Sequence, residues 1–427
     1  MDTICAIATA PGGALGIVRI SGPEAIPAVD ALFRARGGMP LANRKEYSLT
    51  FGTLMDGDTV LDEVMVSLYR APHSYTGEDC VELSCHGSPY ILQRTLQLLF
   101  SQGCRMAEPG EYTQRAFLAG KMDLSQAEAV ADLIAAQSAA SHRVALQQMR
   151  GGYSNKLHTL RERLLEMTSL LELELDFAEE DVEFAGRTQL LSLAEEIRAE
   201  VQRLMHSFRL GNALKDGIPV AIIGAPNVGK STLLNRLLHD DRAIVSNIQG
   251  TTRDLVEDTI VLQGIRFRFI DTAGLRHTND TIERLGIERS LQAAAKAQII
   301  VLLTEPGVSF PDIPVNDDQT VIRIVNKSDT FQALTGLGVD ALEQQLVATV
   351  PQGDPSELIV TNQRHYQALA LANGDMERAI LSLQQNLSGD LISEDLRQCL
   401  HHLGEILGEI TTDEVLSTIF SHFCIGK

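Results

Sequence analysis

The stretch Gly224 to Leu238, "GAPNVGKSTLLNRLL", decides how the centre of the chain folds. It follows the apolar run "IPVAII" and leads into apolar residues at three and four spacing, so it reads as strand, turn and helix start. Gly224, Gly229, Lys230 and Ser231 complete G-x-x-x-x-G-K-S at that junction. Glycines there let backbone N–H groups close on phosphates. The Lys230 ammonium reaches the β and γ phosphates, and the Ser231 hydroxyl serves Mg²⁺.

Three later motifs decide the nucleotide. "GTTRD" (Gly250 to Asp254) supplies threonines for the γ-phosphate side, with Thr252 a second Mg²⁺ ligand. "DTAG" (Asp271 to Gly274) supplies an aspartate near Mg²⁺ and a glycine N–H that senses the γ-phosphate. "NKSD" (Asn326 to Asp329) is the guanine reader, because the Asp329 carboxylate accepts from the two N–H donors that guanine presents and adenine does not. Together they predict GTP binding and hydrolysis by a set in four clusters. These are Asn227, Val228, Gly229, Lys230, Ser231 and Thr232; Ser246, Asn247, Ile248, Gln249, Gly250, Thr251 and Thr252; Asp271, Thr272, Ala273 and Gly274; and Asn326, Lys327 and Asp329.

Leu275 stands where many signalling GTPases place the glutamine that orients water, and a leucine cannot do that. Two other groups are available. The Asn227 amide oxygen can hold a monovalent cation against the phosphates. Glu283 can align water, although on its own it reads sooner as a solvated acid at a helix start.

Around this core the texture changes twice. Up to about residue 120, short β-rich runs broken by Gly and Pro, with one clear helix from Pro89 to Gln102, predict an α+β domain (1–120). Apolar residues at three and four spacing then predict long helices over 121–214, and the texture returns over 355–427. The α/β alternation of 215–354 predicts a mostly parallel sheet inserted between two parts of one helical domain. The fold class is multi-domain α/β with an inserted Ras-like P-loop domain.

The chain has 427 residues and a net charge of −20, which disfavours long-range steering of nucleic acid. A local patch or a basic partner must hold any RNA. Six irregularly spaced cysteines argue for free thiols, and the absence of a long apolar run argues for a cytoplasmic protein without a membrane span. Cys80 and Cys85 are expected as buried strand residues rather than metal ligands.

The motifs "GIVRISG", "SYTGEDCVEL", "PGEYTQRAFLAGKMDLSQAEAVADLI", "DTAGLR", "IERLGIERS" and the terminus "IFSHFCIGK" occur in one order over essentially the whole length. In these the chain resembles the tRNA modification GTPase family MnmE, also called TrmE. The resemblance implies a homodimer that works with a flavoprotein partner, MnmG, in a heterotetramer. Its product is a 5-carboxymethylaminomethyl- or aminomethyl-uridine at the tRNA wobble position. The one-carbon unit comes from a 5-formyl- or methylene-tetrahydrofolate held by the N-terminal domain, which also dimerises.

The resemblance further implies K⁺ ligands Asn227, Ser246, Ile248 and Thr251, Mg²⁺ ligands Ser231 and Thr252, and Glu283 as the water-aligning glutamate. For folate it implies Arg19, Glu82, Lys121 and Lys427. Cys424 fits two roles, a catalytic nucleophile or a thiol packed near the folate. A reading of another class is a regulatory GTPase switch in ribosome or RNA assembly. One departure stands out: after Asp329 there is little chain for a last strand and a guanine-contacting loop, so that loop is expected to be shortened or missing.

Overall fold

The computed structural model describes residues 2–10, 12–176, 186–239, 258–270, 291–317, 319–350 and 358–426. The chain divides into two compact units, Met1–Ala131 with Gly404–Lys427, and Asp132–Leu403.

The first unit is built on a seven-stranded sheet. Its strands are β1 Ile4–Ile7, β2 Leu15–Ser21, β3 Phe33–Ala35, β4 Ser48–Asp56, β5 Thr59–Tyr69, β6 Cys80–His86 and β7 Arg105–Met106. Their order is β3-β4-β5-β6-β2-β1-β7, antiparallel except for the β1/β7 pair. Alternation selects one face: Leu54, Val64, Val66, Leu68, Val81, Leu83, Val18 and Ile20 are buried against α1 Ala25–Leu32 and α2 Pro89–Ser101. The opposite face carries Leu49, Phe51 and Met65 in the open.

The sequence predicts one helix here, and the structure adds two, α1 and α3 Glu111–Leu118. Pro27 hides α1 from a pattern reading, yet it sits in the first turn, where its missing N–H has no intrahelical partner to lose. Helix α4 Leu124–Ala135 packs Leu124 and Ala127 against Leu416, Phe420 and Phe423 at the end of the C-terminal helix Asp413–Ser421.

The second unit holds long helices and an inserted sheet. In α6 Gly152–Asp176 the buried residues Tyr153, Leu157, Leu160, Leu164, Met167 and Leu171 alternate steps of four and three. The same rhythm runs through Leu190, Ala194, Ile197, Val201 and Leu204 of α7 Arg187–Asp216. Such narrow seams are those of antiparallel bundles. The shorter α5 Ala139–Met149 precedes them, capped by reciprocal bonds between Ser138 and Ser141.

At Gly217 the chain enters a five-stranded sheet of order β12-β11-β8-β10-β9. Its strands are β8 Ile218–Gly224, β9 Asp258–Leu262, β10 Ile265–Phe269, β11 Ile299–Thr304 and β12 Thr320–Val325. All pairs are parallel except the β9/β10 hairpin. Every residue of β11 is buried, as a strand covered on both faces requires. The helices α8 Lys230–His239 and α9 Val339–Ala348 belong to this insertion.

The chain then returns to the bundle at Ile359 and Val360. Gly211 of α7 makes the close approach possible, since a Cβ there would lie 2.0 Å from the Val360 carbonyl oxygen. Gln148 donates to the Ile359 carbonyl at 2.7 Å, and the Val360 N–H donates to Ser207 at 3.0 Å. Helices α10 Gln363–Gln384 and α11 Gly389–Leu407 continue the bundle with Leu369, Ala372, Met376, Ala379 and Leu383, then Ile392, Leu396, Cys399 and Leu403.

Candidate functional site

The phosphate loop leaves the carboxyl end of β8, the central strand, where open parallel sheets gather ligand contacts. Two residues of the loop have left-handed backbones, Asn227 (φ 62) and Gly229 (φ 101). At Gly229 only glycine fits, because a Cβ would meet the Asn326 amide nitrogen at 2.3 Å. The Lys230 ammonium donates to the carbonyls of Gly224 and Ala225, both at 2.8 Å, so it spans the loop from within. Burial lowers its pKa from the usual lysine range, which favours pairing with an anion.

The guanine-reading segment is tied to that loop. Asn326 is buried, and its amide donates to the Val228 carbonyl at 2.8 Å while its oxygen accepts from the Ala333 N–H at 2.9 Å. The Lys327 ammonium donates to the Asn227 carbonyl at 3.3 Å and pairs with Glu305 at 2.5 Å. Asp329 is exposed at the turn. Ser328 closes the turn by accepting from the Phe331 N–H at 3.1 Å.

These bonds sharpen the expectation about the chain after Asp329. The segment is short, and among the described residues the sheet ends at five strands. Nevertheless the turn returns to Asn326 through the Ala333 N–H, and Gln332 bridges Leu337 to close it. Sequence reasoning missed this turn; the signal was the pair of glycines at 336 and 338, both with positive φ.

Of the predicted nucleotide set, the structure brings Asn227, Val228, Gly229, Lys230, Asn326 and Lys327 into one constellation. Ser231 and Thr232 follow in the first turn of α8. Ser246, Asn247, Ile248, Gln249, Gly250, Thr251, Thr252, Asp271, Thr272, Ala273, Gly274 and Glu283, also expected at the site, lie outside the described residues. Leu275 and Lys427 lie outside them as well.

In the first unit, Arg19 on β2 and Glu82 on β6 stand directly opposite each other in the ladder and pair at 2.8 Å, each side chain 19% exposed. The Arg19 guanidinium also donates to the Gly426 carbonyl at 3.2 Å and lies over the rings of Tyr112 and Tyr75, 5.6 and 5.9 Å from their centroids. The segment Cys424 to Gly426 is thereby held beside Arg19 and Glu82, with the Cys424 carbonyl accepting from Gly110 at 3.4 Å and the Cys424 side chain exposed. Lys121 stands apart, donating to the Pro72 carbonyl at 2.7 Å on the loop that carries Tyr75. The two tyrosines were not foreseen. Cys80 and Cys85 are buried on β6, and burial pushes both thiols up to about 12.

A different support lies beneath this site. Buried Arg115 pairs with Glu111 at 2.9 Å, Glu78 at 3.0 Å and Asp2 at 2.9 Å, and Arg105 joins Asp2 to Glu111.

Among known families, "GTP-binding protein TrmE N-terminus" matches residues 3–121 and "MnmE helical domain" matches residues 124–424. Curated tRNA modification GTPases MnmE of Bacteroides fragilis (ATCC 25285) and Bacteroides thetaiotaomicron are 52% and 53% identical over 462 residues, covering 100% of this chain and 99% of each relative. That of Porphyromonas gingivalis is 47% identical over 466 residues, covering 100% and 98%. The Bacteroides alignments run over 462 residues where this chain has 427, so those relatives carry residues that it lacks. The solved G domain of the T. maritima FeoB iron transporter covers 31% of this chain and 97% of its own, at 21% identity and a TM-score of 0.21. Among the described residues no helix is long and apolar enough to cross a membrane.

Proposed function

The chain belongs to the MnmE (TrmE) family of tRNA modification GTPases, and from that premise we propose a K⁺-stimulated, Mg²⁺-dependent GTP hydrolase that drives a conformational cycle during wobble-uridine modification. On this reading it acts in the cytoplasm as a homodimer with the flavoprotein MnmG. The product is 5-carboxymethylaminomethyl- or aminomethyl-uridine, and a 5-formyl- or methylene-tetrahydrofolate supplies the one-carbon unit. Family membership favours this over a switch in ribosome or RNA assembly.

The observation that carries the reading is the Asn326 bridge, which fixes the base-reading segment to the phosphate loop through Val228. Lys230 neutralises phosphate charge, Gly229 admits the phosphates to backbone N–H groups, and Asp329 reads the base. Ser231, with Thr252, would hold Mg²⁺. Asn227 suits K⁺, because its side chain is exposed on the loop and has no hydrogen-bond partner among the described residues. Ser246, Ile248 and Thr251 would complete that set. Bound there, K⁺ would supply positive charge against the phosphates. Glu283 aligns the attacking water.

For the folate site, Arg19, Glu82 and the C-terminal residues offer a carboxylate, a guanidinium and aromatic faces in one place, with Lys121 and Lys427 as cations for the tail. Cys424 stands beside them in either of its two roles.

The test compares GTP turnover in KCl and NaCl for the wild type and Asn227→Ala. Stimulation by K⁺ alone, lost in the variant, is the expected outcome, and equal rates in both salts would overturn the cation assignment.

A further inference from the structure

In a chain of net charge −20, residues 31–45 contain four cations and no carboxylate: Arg34, Arg36, Arg44 and Lys45. Arg70 joins them, donating to the carbonyls of Ala42 at 2.8 Å and Arg44 at 3.4 Å. None of these five has a carboxylate partner among the described residues. Elsewhere in the same unit Arg94, Arg105 and Arg115 are each held by one or more carboxylates. Arg34 and Arg44 donate only to backbone carbonyls, and Arg36 lies over the Phe51 ring. Three of the five, Arg34, Arg36 and Lys45, are exposed. Guanidinium and ammonium groups satisfied in this way keep their full charge for an external anion.

Their place in the fold says which anion. Arg70 opens the loop whose Pro72 carbonyl receives the Lys121 ammonium, whose Tyr75 faces Arg19, and whose His73 carbonyl is held by the Tyr47 hydroxyl at 2.8 Å. Lys121 thus bonds to this loop two residues from Arg70, and Arg70 in turn holds the 42–44 turn that leads into Lys45. From there the charge continues along β4, since Arg36 covers Phe51, three residues or about 10 Å from Ser48. Carboxylates in the corner are engaged: Asp30 accepts from the N–H groups of Leu41 and Ala42, Asp79 accepts from the Ala71 N–H at 2.9 Å, and Glu46 faces His73 at 3.4 Å.

We propose that Arg44, Lys45 and Arg70 form a track that takes the γ-linked polyglutamate tail of a folate bound at the Arg19–Glu82 site. The proposal rests on the folate reading above and extends it from one ligand to a class, the polyglutamylated reduced folates. A chain of carboxylates at regular spacing suits a row of unpaired cations that begins beside Lys121. An RNA strand fits less well, because its affinity grows with the number of phosphates neutralised, and the corner offers five cations with three of them at the loop.

Three surface carboxylate–cation contacts, each a factor of about 2 to 5, predict roughly tenfold or greater preference for the longer ligand. The experiment is calorimetry on the full chain with 5-formyl-tetrahydrofolate carrying one or five glutamates, and separately with unmodified tRNA. The pentaglutamate is expected to bind about tenfold more tightly, less so at high salt. R44E/K45E/R70E removes that preference while leaving the monoglutamate within about twofold. Because Arg70 braces the 42–44 turn, K45E alone is the second variant, as the Lys45 side chain has no hydrogen bond or ion pair among the described residues; it should lose about a factor of two to five for the pentaglutamate only.

Equal binding of both folates by the wild type overturns the track and leaves the folate site standing. Binding of neither overturns both readings. Loss of tRNA binding in the charge-reversed chain, with the folates unaffected, overturns the track and assigns this face to RNA.

Discussion

The two candidate sites are assembled in opposite ways. The nucleotide site is local: Gly224 to Ser231 is one turn between a strand and a helix, and a single buried side chain, Asn326, locks the base-reading segment onto it through main-chain partners. The N-terminal site is dispersed. Arg19, Glu82, Lys121 and Gly426 come from four parts of the chain, and the bonds around and beneath them are ion pairs, Arg19 with Glu82 and Arg115 with three carboxylates. The Asn326 bridge, made of an amide and backbone groups, has nothing that titrates and no charge for salt to screen. A site held by charges has both, so the two regions should fail differently.

The largest expected effect tests the local site. Lys230→Met keeps much of the side-chain length but removes the ammonium, and loss of one group that stabilises transition-state charge lowers kcat by about 10²–10³. GTP turnover would show it. Folate binding measured on the same protein should be unchanged, and a parallel loss of both would mean that the regions are not independent.

Next in size is Asn326→Ala. It strands the Val228 carbonyl and the Ala333 N–H in a buried place, at about 1–3 kcal/mol, and frees the 332–334 turn from the phosphate loop. Guanine nucleotide affinity, followed with a fluorescent GDP, should fall by roughly one to two orders of magnitude. Unchanged affinity would show that the turn after Asp329 does not depend on this bridge.

The same contrast explains what could be read from the sequence. The phosphate loop is legible because the chemistry and the fold use the same consecutive residues: Gly229 must be glycine for its φ and its contact with Asn326, and Lys230 follows from the phosphates. The bundle is legible too, since the four-three spacing of α6 and α7 is a property of one chain segment. Helix α1 is not, because Pro27 masks a helix that only its packing on the sheet sustains. The Arg19–Glu82 pair is a register fact of β2 against β6, 63 residues apart, which no local pattern encodes. Those residues could be named only through the family's motifs, and Tyr75 and Tyr112 escaped even that. The turn at 332–334 is not legible either, because its bond to Asn326 is made by a backbone N–H, which carries no residue signature.

The smallest effect separates the two regions by acid. Asp2 is pushed down to about 2, first by its hydrogen bonds to Arg105. For Glu111 burial works upward, but hydrogen bonds from Arg105, Glu108 and Arg115 outweigh it, and its pKa falls below the usual 4.5. A carboxylate with a depressed folded pKa adds stability that is fully present above its unfolded value and lost as pH falls through the folded one. The cluster should therefore weaken between about pH 4.5 and pH 2, while the Asn326 bridge carries no proton to gain. Five of the seven tyrosines, at 47, 69, 75, 90 and 112, lie in the first unit, and the chain has no tryptophan, so tyrosine circular dichroism reports mainly on that unit. Moving from pH 5 to pH 3.5 should lower the tyrosine-detected Tm by on the order of a few degrees more than the Tm detected by bound fluorescent GDP. Arg105→Gln should shrink that gap, because it removes the contact that depresses both carboxylates; an unchanged gap would place the acid sensitivity elsewhere in the unit.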